Sequence, residues 1–510
     1  MKPNNSMFKQ AFAAVALASA ANAADFTIEL DPQNDLVKDQ RQSLSAPDLG
    51  YAGSMMEFGH DLCEWFFVKD RENFAKMMRE GGAYVLKEWN ANDRWQVGKA
   101  YADAKTPEEK EAIRKRHSRG GFVEDPKTWF SFRKENNMKV HLCLEQYGVY
   151  TDVAKGARTN DLAKVKTVIC DYLKWILDNG FKDQVAGFEL GNEAYFGNDP
   201  ENYGARWSEI VPAMKAIWPD AKIGMPLAEY RAGDPDIAAV RARSVKMEWW
   251  KDGGEFTFNK FNQWSGRFIV AMSNQLHNIS HVIYHFYGAD APYGCSASGF
   301  GRIHNFAKVF PEIKDKRVWI TEWRERSDEN NRCHQAFFSA LWKAHYLLSV
   351  LAQPNIDGIS NHCIAALAGG FYVSNGKTWH VQWDSANRDY ADLDGIGHPH
   401  LELGPSGPLF RLYCEALMKH PLVIKHGTNG GQGPKASFWH SALYYANIYW
   451  MPGYLGSGKD PAKKKKEEFG GAEWVVAMNP DKTSMAILLV NTKHEPWTFT
   501  VDMKGGATYG

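Results

Sequence analysis

The chain has 510 residues, room for about two to four domains or for one large barrel with a smaller partner. Its 60 Lys and Arg balance 60 Asp and Glu, which argues against a nucleic-acid binder, and no uncharged apolar run approaches the roughly 20 residues that cross a bilayer. With 44% hydrophobic and 24% charged residues the composition is globular, and 19 Trp, 21 Tyr and 28 Phe are enough to fill a core and still offer flat faces to a sugar.

Residues 1–23 read as a signal peptide: Lys2 and Lys9 make a basic start, Ala11 to Ala21 an apolar stretch, and Ala21-Asn22-Ala23 an A-x-A cleavage site. The expected product is secreted or periplasmic. In the segment 24–44, residues 26–30 (FTIEL) can supply a strand to a later sheet. Eight short apolar runs follow, at 53–58, 83–86, 139–144, 185–190, 222–225, 281–287, 317–323 and 356–361. Helical periodicity fills several gaps, at 161–178, 203–218 and 333–351, with a last helix at 408–419. Short strands alternating with helices predict a parallel sheet with crossover helices, and eight units close a (β/α)8 TIM barrel over 45–420. Long loops are expected at about 88–125, 228–275 and 368–405. From 421 to 510 strands recur without helices, at 442–450, 473–478, 485–490 and 497–503, which predicts an antiparallel β-sandwich. The KKKKEE run at 463–468 reads as a solvated tip.

Seven cysteines, at 63, 143, 170, 295, 333, 363 and 414, form no C-x-x-C pair. Export permits disulfides, and Cys295 with Cys333 is the candidate pair, while Cys143, Cys170 and Cys363 read as buried and inert.

In such a barrel the chemistry sits where strands end. The fourth run ends Glu189-Leu190-Gly191-Asn192-Glu193, and the seventh ends Thr321-Glu322-Trp323. Alternation puts Glu189, Gly191 and Glu193 on one face, with Glu193 at the rim and Glu189 deeper, as structure rather than chemistry. Two carboxylates facing across a cleft suit glycosidic bond cleavage: one donates a proton to the leaving oxygen and the other attacks the anomeric carbon.

These motifs resemble glycoside hydrolase clan A, and the layout around FELGNEAYFGNDPENYGARWSEIVPAMKAIWPDAKIG is similar to family 51 α-L-arabinofuranosidases. The resemblance implies that Glu193 is the acid/base, that Glu322 is the nucleophile, and that the reaction retains configuration through a covalent glycosyl intermediate. It also implies that Glu57, in the first run, touches the sugar, and that an aromatic hydroxyl of Tyr284-His285-Phe286-Tyr287 bonds the nucleophile. Arg324 stands where that family has Asn, and the region 78–94 diverges from it.

Further substrate-binding candidates are Asn192, whose amide can meet a sugar 2-hydroxyl, and Tyr287, with His285 as the alternative on the same strand face. Trp323 and Trp89 are candidates for a stacking floor or for core packing, Glu57 for sugar hydroxyls or a rim ion pair, and Asn361 with His362 closes the eighth strand. His277, His281 and His285 recur every four residues, but Asn278 stands where a metalloprotease helix needs Glu, and 279–287 reads as a strand. No metal and no cofactor is expected; the expected partner is a carbohydrate. The competing readings are a non-catalytic carbohydrate-binding protein on a degenerate barrel and a transglycosylase.

Overall fold

The structure, a computed structural model, describes residues 26–39, 85–117, 123–228, 258–288, 310–325, 350–361, 406–428, 472–491 and 498–504, with shorter stretches at 71–75, 307, 343–348, 372–374, 401–403, 435–437 and 468–470. Expectations for 1–23, the first run with Glu57, the strand at 442–450, KKKK at 463–466 and five of the cysteines lie outside the described residues or side chains.

In chain order, β1 (Phe26–Leu30) and β2 (Lys38–Asp39) come first. β3 (Val85–Glu88) leads into α1 (Ala91–Asp103), α2 (Pro107–His117) and α3 (Pro126–Glu135). β4 (Lys139–Cys143), the antiparallel hairpin β5 (Val149–Asp152) and β6 (Ala157–Thr159), α4 (Leu162–Asp178), β7 (Val185–Glu189) and α5 (Pro200–Ile217) follow. Then come β8 (Ile223–Pro226), α6 (Phe258–Ala271), β9 (His281–Gly288), β10 (Arg317–Glu325) and β11 (Ile356–Asn361). The rest comprises the antiparallel pair β12 (Tyr372–Ser374) and β13 (Leu401–Leu403), α7 (Ser406–Lys419), β14 (Leu422–Thr428), the antiparallel pair β15 (Lys435–Ser437) and β16 (Glu468–Gly470), β17 (Ala472–Met478), β18 (Met485–Asn491) and β19 (Phe499–Met503).

Runs two to eight of the sequence form one parallel sheet, ordered β11-β10-β9-β8-β7-β4-β3. The edge strands β3 and β11 approach each other, so the sheet is a nearly closed TIM barrel. Strands such as β3 and β8 are buried along their whole length, as strands walled by helices outside and packed side chains inside must be. Helix α4 turns Val165, Ile169, Tyr172, Leu173 and Ile176 toward the barrel at intervals of three and four, and the Asp161 carboxylate caps it by accepting from Lys164 N–H at 2.9 Å. The Asp199 carboxylate caps α5 in the same way, with Pro200 in the first turn.

Inside the barrel, away from the mouth, the Trp319 indole stacks on His281 at 4.0 Å between centroids and lies 4.7 Å from His141. A Cβ on Gly187 of β7 or Gly224 of β8 would overlap this indole, so those glycines make its space. His281 in turn bonds the Asp357 carboxylate at 2.8 Å, which Arg317 also pairs.

The expected loop at 88–125 is a correction: it folds as α1 and α2. Helix α2 buries only Ile113 and therefore has no apolar stripe to read; acids in its first turn and Arg114 to His117 in its last complement the helix dipole. The segment 228–275 holds α6, and 368–405 holds the β12–β13 pair.

Beyond α7, the sheet β18-β17-β14-β2 is antiparallel. β14 begins with a Pro-flanked LVI run and then turns polar (KHGT), which hid it from the sequence reading. β1 pairs with β19 in parallel, Phe26 opposite Phe499, and turns Phe26, Ile28 and Leu30 onto Trp474 and Val476 of β17. Two layers thus face each other across an apolar filling, as a sandwich requires.

Candidate active site

Lys87, the third residue of β3, is completely buried among acceptors at the barrel mouth. Its Nζ donates to Asn192 Oδ1 at 2.9 Å and lies 3.0 Å from Glu189 Oε2, 3.2 Å from His285 Nε2 and 3.3 Å from Glu322 Oε1. Burial pulls an ammonium down, but the Glu189 and Glu322 carboxylates outweigh it and hold Lys87 above the ordinary lysine value.

Because that ammonium can only donate, His285 Nε2 must accept, and the ring proton sits on Nδ1. Nδ1–H then donates to Glu193 Oε1 at 2.9 Å, with Glu322 Oε2 at 3.4 Å. His285 therefore bridges two carboxylates. One oxygen of Glu193, one of Glu322 and one nitrogen of His285 lie within 4.8 Å of one another. This trio has the spacing of a metal cluster, but the nitrogen that faces both acids carries the proton, and Lys87 already supplies the positive charge.

Glu322 is wholly buried and Glu193 keeps 23% of its side chain exposed. Regular alternation does not carry Glu193 to the rim, as the sequence reading had it. The strand ends at Glu189; Gly191 takes φ +87° and Glu193 itself φ +42°, both left-handed. A Cβ at Gly191 would overlap the Tyr203 hydroxyl, which donates to Leu190 O at 2.7 Å, so only glycine fits there. Tyr195 O–H donates to Glu193 Oε1 at 3.3 Å. Behind this loop the Asn192 N–H donates to the Glu145 carboxylate, while burial and the neighbouring Asp93 push Glu145 up to about 7. The Asn92 side chain brackets Glu145 by bonding both its N–H and its C=O.

Neither a protein-family model nor the sequence of a curated protein matches the chain. Its structure does match solved ones. A family 51 α-L-arabinofuranosidase from Bifidobacterium longum superposes with TM-score 0.54 at 11% identity, over 96% of this chain and 89% of that one. An α-L-arabinofuranosidase from Thermotoga maritima, solved with arabinose, gives 0.53 at 12% identity over 94% and 88%. The Thermotoga petrophila family 51 enzyme gives 0.51 at 11% over 94% and 89%. The chain shares its fold with family 51 α-L-arabinofuranosidases. The clan A resemblance of the short motifs thus has the matching architecture beneath it.

Of the residues picked from the sequence, Glu193, Glu322, Asn192 and His285 meet within one cluster. Trp89 stands beside it, half-buried, with Lys87 Nζ 5.9 Å from its ring centroid. Trp323 does not join them and is a correction: its side chain is fully buried, stacked on Tyr346 at 4.4 Å, and cannot meet a sugar. A break in register between Ile320 and Glu322 on β10 defeats simple alternation: Thr321 Oγ1 and Glu322 Oε1 both come within reach of Lys87, and Trp323 goes to the wall. Tyr287 and Asn361 lie on β9 and β11, but their side chains are outside the described residues, as is the whole of Glu57. Lys87 was missed. A lysine on the same side as Val85, at the end of an apolar run, was its one available signal. Cys143 and Cys170 are free thiols, Cys143 buried and Cys170 half-buried.

Proposed function

We propose that this protein is a secreted retaining glycoside hydrolase with Glu193 as acid/base and Glu322 as nucleophile. The observation that carries the reading is the approach of a Glu193 oxygen and a Glu322 oxygen to within 4.8 Å at the mouth of a barrel. That approach supports the roughly 5–5.5 Å of a covalent, retaining mechanism over the ~6.5–9.5 Å of an inverting pair, which must hold a water between its carboxyl groups. The surroundings divide the roles. Glu322 sits against Lys87, which favours its anion. Glu193 has no cation beside it among the described residues and reaches the opening, where it can carry a proton to the leaving oxygen.

In the first step a Glu322 oxygen attacks the anomeric carbon while Glu193 protonates the departing oxygen. In the second, Glu193 takes a proton from water, which displaces Glu322. Asn192, its Oδ1 tied to Lys87, is left with its NH2 for the sugar 2-hydroxyl, and Trp89 offers a face. The fold shared with arabinofuranosidases makes α-L-arabinofuranosides the first substrates to test. The basic, apolar and A-x-A composition of 1–23 supports export.

The test is a panel of aryl glycosides and polysaccharides, with the anomer of the first product followed by NMR. Retention is expected; an inverted first product overturns the mechanism. Glu193→Gln and Glu322→Gln are each expected to lower kcat about 100-fold or more without loss of fold. Near-wild-type turnover in either variant refutes that residue's role.

A further inference from the structure

Glu189 takes no part in the bond-breaking scheme, yet it is wholly buried one layer beneath the reacting carboxylates. Its Oε2 lies 3.0 Å from Lys87 Nζ, an ion pair buried on both sides. The same ammonium is 3.3 Å from Glu322 Oε1. We propose that Glu189 is the standing counter-charge of Lys87, a positioning residue that weakens the ammonium's hold on Glu322 before attack and keeps the ammonium paired after it. The proposal rests on the assignment of Glu322 as nucleophile.

The reason lies in the charge balance of the reaction. At rest, two carboxylates flank one buried ammonium. When a Glu322 oxygen bonds to the anomeric carbon and the leaving oxygen takes the Glu193 proton, Glu322 becomes a neutral ester and the negative charge passes to Glu193. Lys87 then loses one of its two anionic partners in a fully buried place. A buried charge whose partner is removed is strongly destabilised. Glu189 removes that penalty from the glycosyl-enzyme. It also prevents Lys87 from spending its whole attraction on the resting Glu322, which would make the carboxylate a poorer nucleophile.

Among the described residues no other group in contact with Lys87, Glu322 apart, carries a negative charge. From β4, burial and then the Glu189 charge push the Cys143 thiol far up, so it stays neutral, and burial pushes His141 down to about 3. Beyond β4, Glu145 titrates only near 7. From β9, His285 Nε2 lies 3.2 Å from Lys87 Nζ, and an imidazole ring offers no negative charge. Glu193, beyond β7, touches His285 rather than Lys87.

The experiment is kcat/KM against pH for Glu189→Gln and Glu189→Asp, on the aryl glycoside that the wild-type enzyme cleaves fastest, with circular dichroism alongside. Loss of a nearby negative charge favours ionised Glu322. Glu189→Gln is therefore expected to move the acid limb about one pH unit lower. Its plateau should fall about ten- to a hundredfold, the range typical of outer-shell partners. Glu189→Asp, which withdraws the charge by one methylene, should shift the limb the same way by less. A folded Glu189→Gln with wild-type limbs overturns the proposal. Should that variant not fold, Glu189→Asp decides: a smaller downward shift supports the proposal, and an unmoved limb overturns it. Failure of the underlying assignment looks different, because Glu322→Gln would then cleave the same glycoside at the wild-type rate.

Discussion

Trp89 and Trp323 each follow a charged residue near the end of a barrel strand, and the sequence treats them alike. Their surroundings do not. Trp323 lies sealed against Tyr346, so Trp323→Ala is expected to cost about 3–5 kcal/mol, read as a marked fall in Tm. Trp89 is half-buried beside Lys87, and Trp89→Ala is expected to raise KM several-fold with little change in Tm. A reversed pattern would exchange their roles. What separates them is a local break in the β10 ladder, which no alternation rule foresees. Glu193 and Glu322 were legible because short motifs mark them. Lys87 was not, because its meaning comes from five acceptors on three other strands and the loop after one of them, the nearest more than 100 positions away in sequence.

At the scale of elements, the barrel strands were legible from length and apolar character, and the helices where one face carried the apolar residues. Helix α2 was not, since its stability comes from charge placement rather than burial. Nor could the sequence say why Gly187 and Gly224 stand where they do. Each leaves room for the Trp319 indole, contributed by a different strand. Gly187→Ala is expected to destabilise the protein by about 1–3 kcal/mol through overpacking, measured by denaturant unfolding. Adding Trp319→Phe, which frees space, should recover part of that loss. If Gly187→Ala unfolds at the wild-type denaturant concentration, the indole does not set the packing there.

At the scale of the molecule, Lys38 ties the sandwich to the barrel. It belongs to β2, which pairs with β14, and its Nζ donates to the carbonyls of Val350, Gln353 and Ile356 at 3.0, 3.1 and 3.2 Å. Burial pulls it down to about 7, against the pull of Asp357. The unfolded chain keeps this lysine protonated up to its ordinary value near 10.5, so between about pH 7 and 10.5 it binds more protons than the folded chain. The Lys38 contribution to stability therefore rises with pH across that window, and its cost is fully present below it. Lys38→Met is expected to flatten the rise, measured as Tm from pH 7 to 10; a slope equal to the wild type's would show that the ammonium is not penalised in place.

The pairing of β1 with β19 carries a consequence for biosynthesis. Thr27 and Thr500 meet across 473 positions of chain, so the partner of the first described strand is made long after it. Until β17 and β19 are made, Phe26, Ile28 and Leu30 lack the Trp474 and Val476 surface and the strand partner that cover them in the folded protein. Closure of the sandwich is thereby a late event of assembly, and a chain truncated before β19 would leave the other end of the molecule unfinished as well.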